Sequence, residues 1–550
     1  MPARLSLSSL WFLLALVIVT PAGRSEPARE ELPSSGSSPS TARSVDTDAI
    51  LARLTLEEKV GQMLFLGFGG TTMDDSISTF LRDKKPGAVA LFSRNIKTPQ
   101  QTMQLIRDVR RHDPAGIPIF VSVDQEGGNV VRLTSLATVL PSQMALGAAR
   151  DEDLAERAGR ALGKDLRIMG FNMNLAPVLD VNSNPKNPVI GTRAFGGSPA
   201  LVGAMGTAFI RGMQGEGVTA VAKHFPGHGD TNADSHFAMP ELSHNKARLQ
   251  RMELVPFARS LAEGLDAVMT AHIALPNVAE ERSMPATVSK NVLTGILRED
   301  LGFEGLVVTD GLEMEGIVSR YGSGEAAVRA VEAGADMVMV LWFKERKDEV
   351  QRALLSAVRS GRISEARLDR SVRRILMTKA RRGLFTQKLL PVDEATRVLE
   401  AAEHRNISDE IAARALTLVK NERGVLPLDP LGHVVVASTE PRFLAEMGRG
   451  HPGVHGARLS SHPGRGGIAR ETKRLATLVR SSGARTVVVG LMAEEWAPLV
   501  KALQRALPNV PVVAVSFASP YLLTSFPDVD GYLCAFGFRN ESEIAAARAL

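Results

Sequence analysis

One cysteine stands in 550 residues, Cys534 in the apolar run GYLCAF. No internal disulfide can form, the fold must be held by its cores, and the thiol is expected to be buried and inert. Tryptophan and tyrosine are also scarce, with three of each, which leaves no stacking platform for single-stranded nucleic acid. Charge of one sign is lacking too: 65 basic and 60 acidic residues are interspersed for a formal net charge of +5. Without a basic stripe and interleaved aromatics, no nucleic-acid partner is expected. No apolar run reaches the ~20 residues that a membrane-spanning helix needs. The run from Leu10 to Val19 follows Arg4 and precedes the small residues Thr20 and Ala22, so residues 1–22 read as a secretory signal peptide rather than an anchor. No cysteine follows it to carry a lipid. The mature protein is therefore expected to be exported, periplasmic or extracellular, with no stable membrane anchor after cleavage.

What is present suits a globular chain of two or three domains: 44% apolar residues and 23% charged. Residues 23–46, rich in Pro, Ser, Glu and Gly, read as a disordered linker. Then come eight short apolar runs separated by segments of helical period: MLFLGFGG, GAVALFS, PIFVSVDQE, FNMNLAPVLDV, AVAKHFPG, DAVMTAHI, GLVVTDG and DMVMVLW. Runs apolar on both faces suit parallel strands covered on both sides, and eight such units predict a TIM-like (β/α)8 barrel over residues 47–395. An open doubly wound sheet is the rival. The barrel is favoured because polar residues gather at the C-terminal ends of the runs, at Asp124, Asp180, His224, His272 and Asp310, where a barrel places its mouth. A helical stretch, SEARLDRSVRRILMTKARRGLF, leads out of it. Residues 408–550 predict a smaller α/β domain from HVVVAS, TVVVGLM, VPVVAVSF and DGYLCAFGF. Its stretches GRGHPG and PGRGG lack the strand and helix context of a nucleotide fingerprint and are expected to be loops. The chain stops inside SEIAAARAL, so this domain is either compact or cut short.

Three stretches carry chemistry. Asp310 in GLVVTDG sits where a strand opens into the mouth, as a nucleophile, base or ligand, or only as a helix N-cap. In DQEGGNVVRL, Asp124 can accept from vicinal hydroxyls and Arg132 can donate a planar fork, while the glycines allow close approach; polyol binding fits, and so does a plain turn. KHFPGHGDTNADSH, residues 223–236, offers His224, His228, Asp230, Asp234 and His236 as a metal pool, but its spacing matches no zinc signature. Within it, DSH can form a dyad in which Asp234 holds His236 for proton transfer near neutral pH; an Asx turn would place the two alike.

These stretches, with LTLEEKVGQMLFLGF, GAVALFSRNI, NLAPVLDVNSNPKNPVIGTRAFG, VMTAHIALP and GFEGLVVTDGLEM, occur in order across residues 53–316 and resemble glycoside hydrolase family 3, specifically its β-N-acetylglucosaminidase branch. The resemblance implies a retaining β-N-acetylhexosaminidase with Asp310 as nucleophile and His236 as general acid/base oriented by Asp234. It further implies that Asp124, Arg132, Arg193, Lys223 and His224 hold the sugar in the cleaved position. The substrate would be an N-acetylglucosamine-containing glycan, a cell-wall muropeptide in peptidoglycan turnover or a chitin fragment, with no cofactor and no metal. Gly311 follows Asp310 where the β-glucosidase branch often has an aromatic, and the second domain resembles the family's sandwich-like domain only loosely. The alternatives are a β-glucosidase or β-xylosidase on the same fold and a non-catalytic barrel that binds wall glycan.

Overall fold

The computed structural model describes residues 45–112, 116–492 and 494–550. The expected signal segment lies outside the described residues, as does all but the end of the expected linker. Asp46 caps the first helix, Thr47–Arg53, by accepting from the Ala49 N–H.

Eight strands close into a barrel: β1 Leu64–Gly67, β2 Ala88–Leu91, β3 Phe120–Val123, β4 Met173–Asn174, β5 Thr219–Phe225, β6 Ala267–Thr270, β7 Leu306–Gly311 and β8 Met337–Val340. Neighbours are parallel throughout, and β1 pairs with β8 in the register Phe65↔Met339, which closes the sheet and removes the doubly wound rival. Every strand residue is buried except Asp310, which is half-buried. Burial on both faces is why the strands read as continuous apolar runs rather than alternating ones.

The closed end is tied by carboxylates placed just before strands. Asp336, ahead of β8, takes Arg298 at 2.6 Å and the Ser371 hydroxyl at 2.7 Å. Asp266, ahead of β6, takes Arg382 Nη2 at 2.9 Å. Ser371 lies on the helix Glu365–Arg381 and Arg382 at its end, so the segment leaving the barrel is fastened beneath it. The following helix, Val392–Glu400, runs across residue 395, where the barrel was expected to end.

The second domain is a six-stranded sheet of β9 Thr417–Asn421, β10 Val434–Ser438, β11 Val454–Arg458, β12 Thr486–Leu491, β13 Val512–Ser516 and β14 Gly531–Cys534, in the order β11-β10-β12-β13-β14-β9. All neighbours are parallel except β9, which is antiparallel to β14. Only the four inner strands were expected. The two edges are half-exposed and carry polar residues, so TLVKN and VHGAR lack the apolar signature of their neighbours. One expectation is corrected: the start of GRGHPG is helical, because the helix Pro441–Gly450 includes it. Gly466 in PGRGG does sit in a turn, at φ +69, and caps the helix Gly467–Ser482. Cys534 is buried, and burial pushes its thiol up to about 12.

Both domains meet beside the loop after β3. Arg539 donates to the Gly128 carbonyl at 2.8 Å, Ser408 to Val139 O at 2.9 Å, and Ser142 to Phe536 O. Among the described residues no helix is long and apolar enough to cross a membrane.

Candidate active site

A cavity of about 400 Å³ opens at the C-terminal ends of the barrel strands. Asp124, Arg132, Arg193, Lys223, His224, His236 and Asp310 all line it. Asp234 is not among the lining residues; it reaches the cavity through His236.

The floor is a run of alternating charge. Lys223, in β5, donates to Asp124 Oδ1 and Glu126 Oε1, each at 2.7 Å. Arg193 meets both oxygens of Glu126 in a fork, with Nε–Oε2 and Nη2–Oε1 at 2.9 Å each. Glu126 is 1% exposed. Burial alone would push its carboxyl up, but Arg193 and Lys223 outweigh that and hold it well below the carboxylate range. The same pairing keeps Lys223 and Arg193 above their ordinary values despite burial, so all stay charged. Asp124 and Lys223 both line the cavity, so an acceptor stands beside a donor there, the pairing that vicinal hydroxyls can use. Arg132 N donates to Gln125 Oε1 at 2.8 Å, fixing the loop that brings its side chain to the cavity.

Asp180 orders the next layer. It accepts the His224 N–H at 3.2 Å and the His228 N–H at 2.6 Å through Oδ1, and His224 Nδ1 at 2.7 Å through Oδ2. Among the described residues His224 Nε2 has no hydrogen-bond partner, and His224 lines the cavity. Burial, then the charge of His224, drives His228 down to about 4, so it is neutral at physiological pH. The Thr231 hydroxyl donates to the His228 carbonyl. His228 Nδ1–H therefore donates to Thr231 at 2.7 Å, and its bare Nε2 accepts from Ser235 at 3.2 Å. Ser235 stands between Asp234 and His236, so this histidine, left without a role by the motif alone, props the loop that carries them, and both His228 and Ser235 line the cavity. Gly229 lets that loop press on the barrel: a Cβ there would lie 1.9 Å from the Val181 carbonyl.

At the rim, Asp234 Oδ1 accepts His236 N at 2.9 Å and His236 Nδ1 at 2.7 Å. It is an Asx turn that also sets the carboxylate on the His236 ring, so both readings of DSH share one geometry. The His236 side chain is 58% exposed. Its backbone N–H and ring hold Asp234 below its ordinary value against the upward push of burial.

Asp310 Oδ1 accepts its neighbour's N–H, from Gly311, at 2.7 Å. Burial pushes the carboxyl up, but His272, His224 and the Gly311 N–H prevail and hold it low. His272 donates Nε2–H to the Gly311 carbonyl at 3.0 Å, and burial pushes its imidazole below the ordinary value against the pull of Asp310. A strand-end carboxylate held below its ordinary value in this way can attack carbon.

Trp342, 54% exposed, rests on Phe92 with ring centroids 4.9 Å apart, and the Arg94 guanidinium lies 4.1 Å from the Trp342 ring centroid. Glu313 fixes this corner by accepting the Leu341, Trp342 and Phe343 N–H groups at 2.6, 2.8 and 2.7 Å. Glu126, Glu313, Phe92 and Trp342 were not singled out from sequence, and Asp180 and His272 only as polar strand ends. Among the described residues none that lines the cavity comes from the second domain, whose Arg539 meets the Gly127–Gly128 turn at the Gly128 carbonyl.

The Glycosyl hydrolase family 3 N terminal domain matches residues 55–378, 324 of the 550. The chain belongs to glycosyl hydrolase family 3. This family 3 chain is 31% identical over 537 residues to a beta-N-acetylglucosaminidase/beta-glucosidase of Cellulomonas fimi, covering 90% of this chain and 92% of that one. To beta-hexosaminidase A of Pseudoalteromonas piscicida it is 32% identical over 421 residues, 70% of each. Among solved structures, the family 3 beta-N-acetylglucosaminidase from Paenibacillus sp. str. FPU-7 superposes with a TM-score of 0.80 at 38% identity, covering 90% of this chain and 96% of that one.

Proposed function

We propose that this family 3 hydrolase is a retaining exo-β-N-acetylglucosaminidase that removes terminal β-linked N-acetylglucosamine from cell-wall muropeptides or chitin-type oligosaccharides. Asp310 attacks the anomeric carbon while the bond to the leaving oxygen breaks and protonated His236 gives that oxygen its Nε2 proton. Neutral His236 then takes a proton from water, whose oxygen displaces Asp310 and restores the starting configuration. Asp234 positions the ring and stabilises its protonated form. Asp124, Arg132, Arg193, Lys223 and His224 are assigned to the sugar. Export through residues 1–22, to the periplasm or beyond, is part of the same proposal.

The observation that carries this reading is an ionised strand-end carboxylate and an aspartate-held imidazole at one cavity. The names of the Cellulomonas, Pseudoalteromonas and Paenibacillus proteins support the sugar. The double name of the Cellulomonas enzyme keeps a β-glucosidase as the second reading. Hydrolysis of an aryl β-N-acetylglucosaminide beside the aryl β-glucoside and β-xyloside tests it. The N-acetyl substrate is expected to dominate kcat/KM; equal or faster glucoside turnover sinks the sugar assignment.

A further inference from the structure

Asp230 is the residue of the dyad loop that hydrolysis leaves idle. Its Oδ2 lies 2.8 Å from His244 Nε2, at the far end of the same loop. Glu253, just before the helix Val255–Ala262, completes a group of one imidazole and two carboxylates whose ligand atoms all lie within 4.8 Å of one another. Glu253 is 1% exposed, and its two oxygens are treated unequally. Oε1 takes Arg248 Nη2 at 3.1 Å, whereas Oε2 is buried with no hydrogen-bond partner. A buried carboxyl oxygen without a hydrogen-bond partner is costly, and such atoms are rare unless a ligand meets them.

Arg248 does not complete the corner. It lies 3.8 Å from Asp230, its one charge offsets only one of the two carboxylates, and its Nε is itself buried and unpartnered. One imidazole and two carboxylates suit Zn²⁺ and its transition-metal neighbours; Ca²⁺ and Mg²⁺ ask for more oxygens or retained water. Asp230 and His244 side chains are each about a quarter exposed, at 25% and 24%, so an ion can enter from solvent.

We propose that Asp230, His244 and Glu253 bind a divalent zinc-class cation that clamps the two ends of the loop carrying Asp234 and His236. The ion replaces the Asp230–His244 hydrogen bond, and the His244 proton resides on Nδ1. This set shares no residue with the dyad, and no step of hydrolysis runs through the ion.

The full chain, freed of metal with a chelator, is titrated with Zn²⁺ by calorimetry. The same is done with Asp230→Asn, His244→Gln and His236→Ala, the last to remove the exposed imidazole that could compete. Circular dichroism checks that each variant is folded; Glu253 is left intact because its burial makes substitution hazardous. One ion per chain is expected, with affinity kept in His236→Ala and lowered ~100-fold or more in Asp230→Asn and His244→Gln. The site is overturned by an absence of saturable binding to the unaltered chain, by unchanged affinity in folded His244→Gln, or by binding that disappears only in His236→Ala. Because the readout is binding, the result stands apart from the glycosidase assignment.

Discussion

At the floor of the cavity Lys223, Glu126 and Arg193 interlock with side chains 4%, 1% and 15% exposed, whereas at the rim His236 stands 58% exposed on Asp234. The floor was assembled when the barrel closed: its charges come from the loop after β3, the 191–193 turn and β5, and each is fixed by an opposite charge. Ordering them is a cost of folding, so a ligand of the floor would meet donors and acceptors already in place. The rim pair is local, two residues apart on one loop, and costs the fold little. A group that must change protonation during turnover is better placed near solvent than inside an ion network that would lock its charge. In the proposed mechanism the two regions divide recognition from proton transfer.

The largest expected effect belongs to Asp310, which neither region can replace. Asp310→Asn keeps the side-chain shape and should lower turnover of an aryl β-N-acetylglucosaminide by ~10⁴-fold or more in steady-state assays. Because neighbouring rings hold this carboxyl below its ordinary 3.8, it stays ionised as the pH falls toward 4, and acid loss of rate above that belongs to another group. Near-normal turnover by folded Asp310→Asn would remove it as the nucleophile.

Second comes the rim. His236→Ala should slow cleavage by ~10²–10⁴-fold for glycosides with poor leaving groups and far less for activated aryl glycosides, which depart without a proton. With its ring mostly in water, stability should shift by no more than ~0.5 kcal/mol in urea unfolding. Equal rate losses across leaving groups would break the division, because the ring would then be acting on binding or fold.

The barrel was legible because strands buried on both sides leave continuous apolar runs, and Asp124, His224 and Asp310 were legible because they end such runs, whereas Lys223 came only through the family resemblance. Glu126 was in plain view in DQEGG, yet its meaning lies in Arg193, 67 residues away, and in Lys223 on β5. No local spacing encodes a pairing that only closure of the barrel creates. Trp342 and Glu313 escaped for a similar reason: a carboxylate collecting three consecutive N–H groups after β8 has no periodic signature. The edge strands β9 and β11 were missed because half-exposed strands share the composition of loops. The Asp234–His236 pair was readable because it is local.

The smallest expected effect tests the floor. Glu126→Gln preserves shape but strips the charge that holds Arg193, whose other bond is to the Val189 carbonyl at 3.1 Å. Lys223 keeps Asp124, so the loss should sit near the lower end for breaking a buried ion pair, about 3 kcal/mol. The Glu126 carboxyl is lowered in the folded chain, so its contribution is fully present above the unfolded value near 4.5 and fades as pH falls below it. Urea unfolding of both proteins from pH 7 downward should show the gap between them shrinking below about pH 4.5. A pH-independent gap would mean that the glutamate contributes packing alone. A Glu126→Gln enzyme that lost turnover yet kept full stability would turn the floor from a folded scaffold into a second reactive region, and the division between floor and rim would fail.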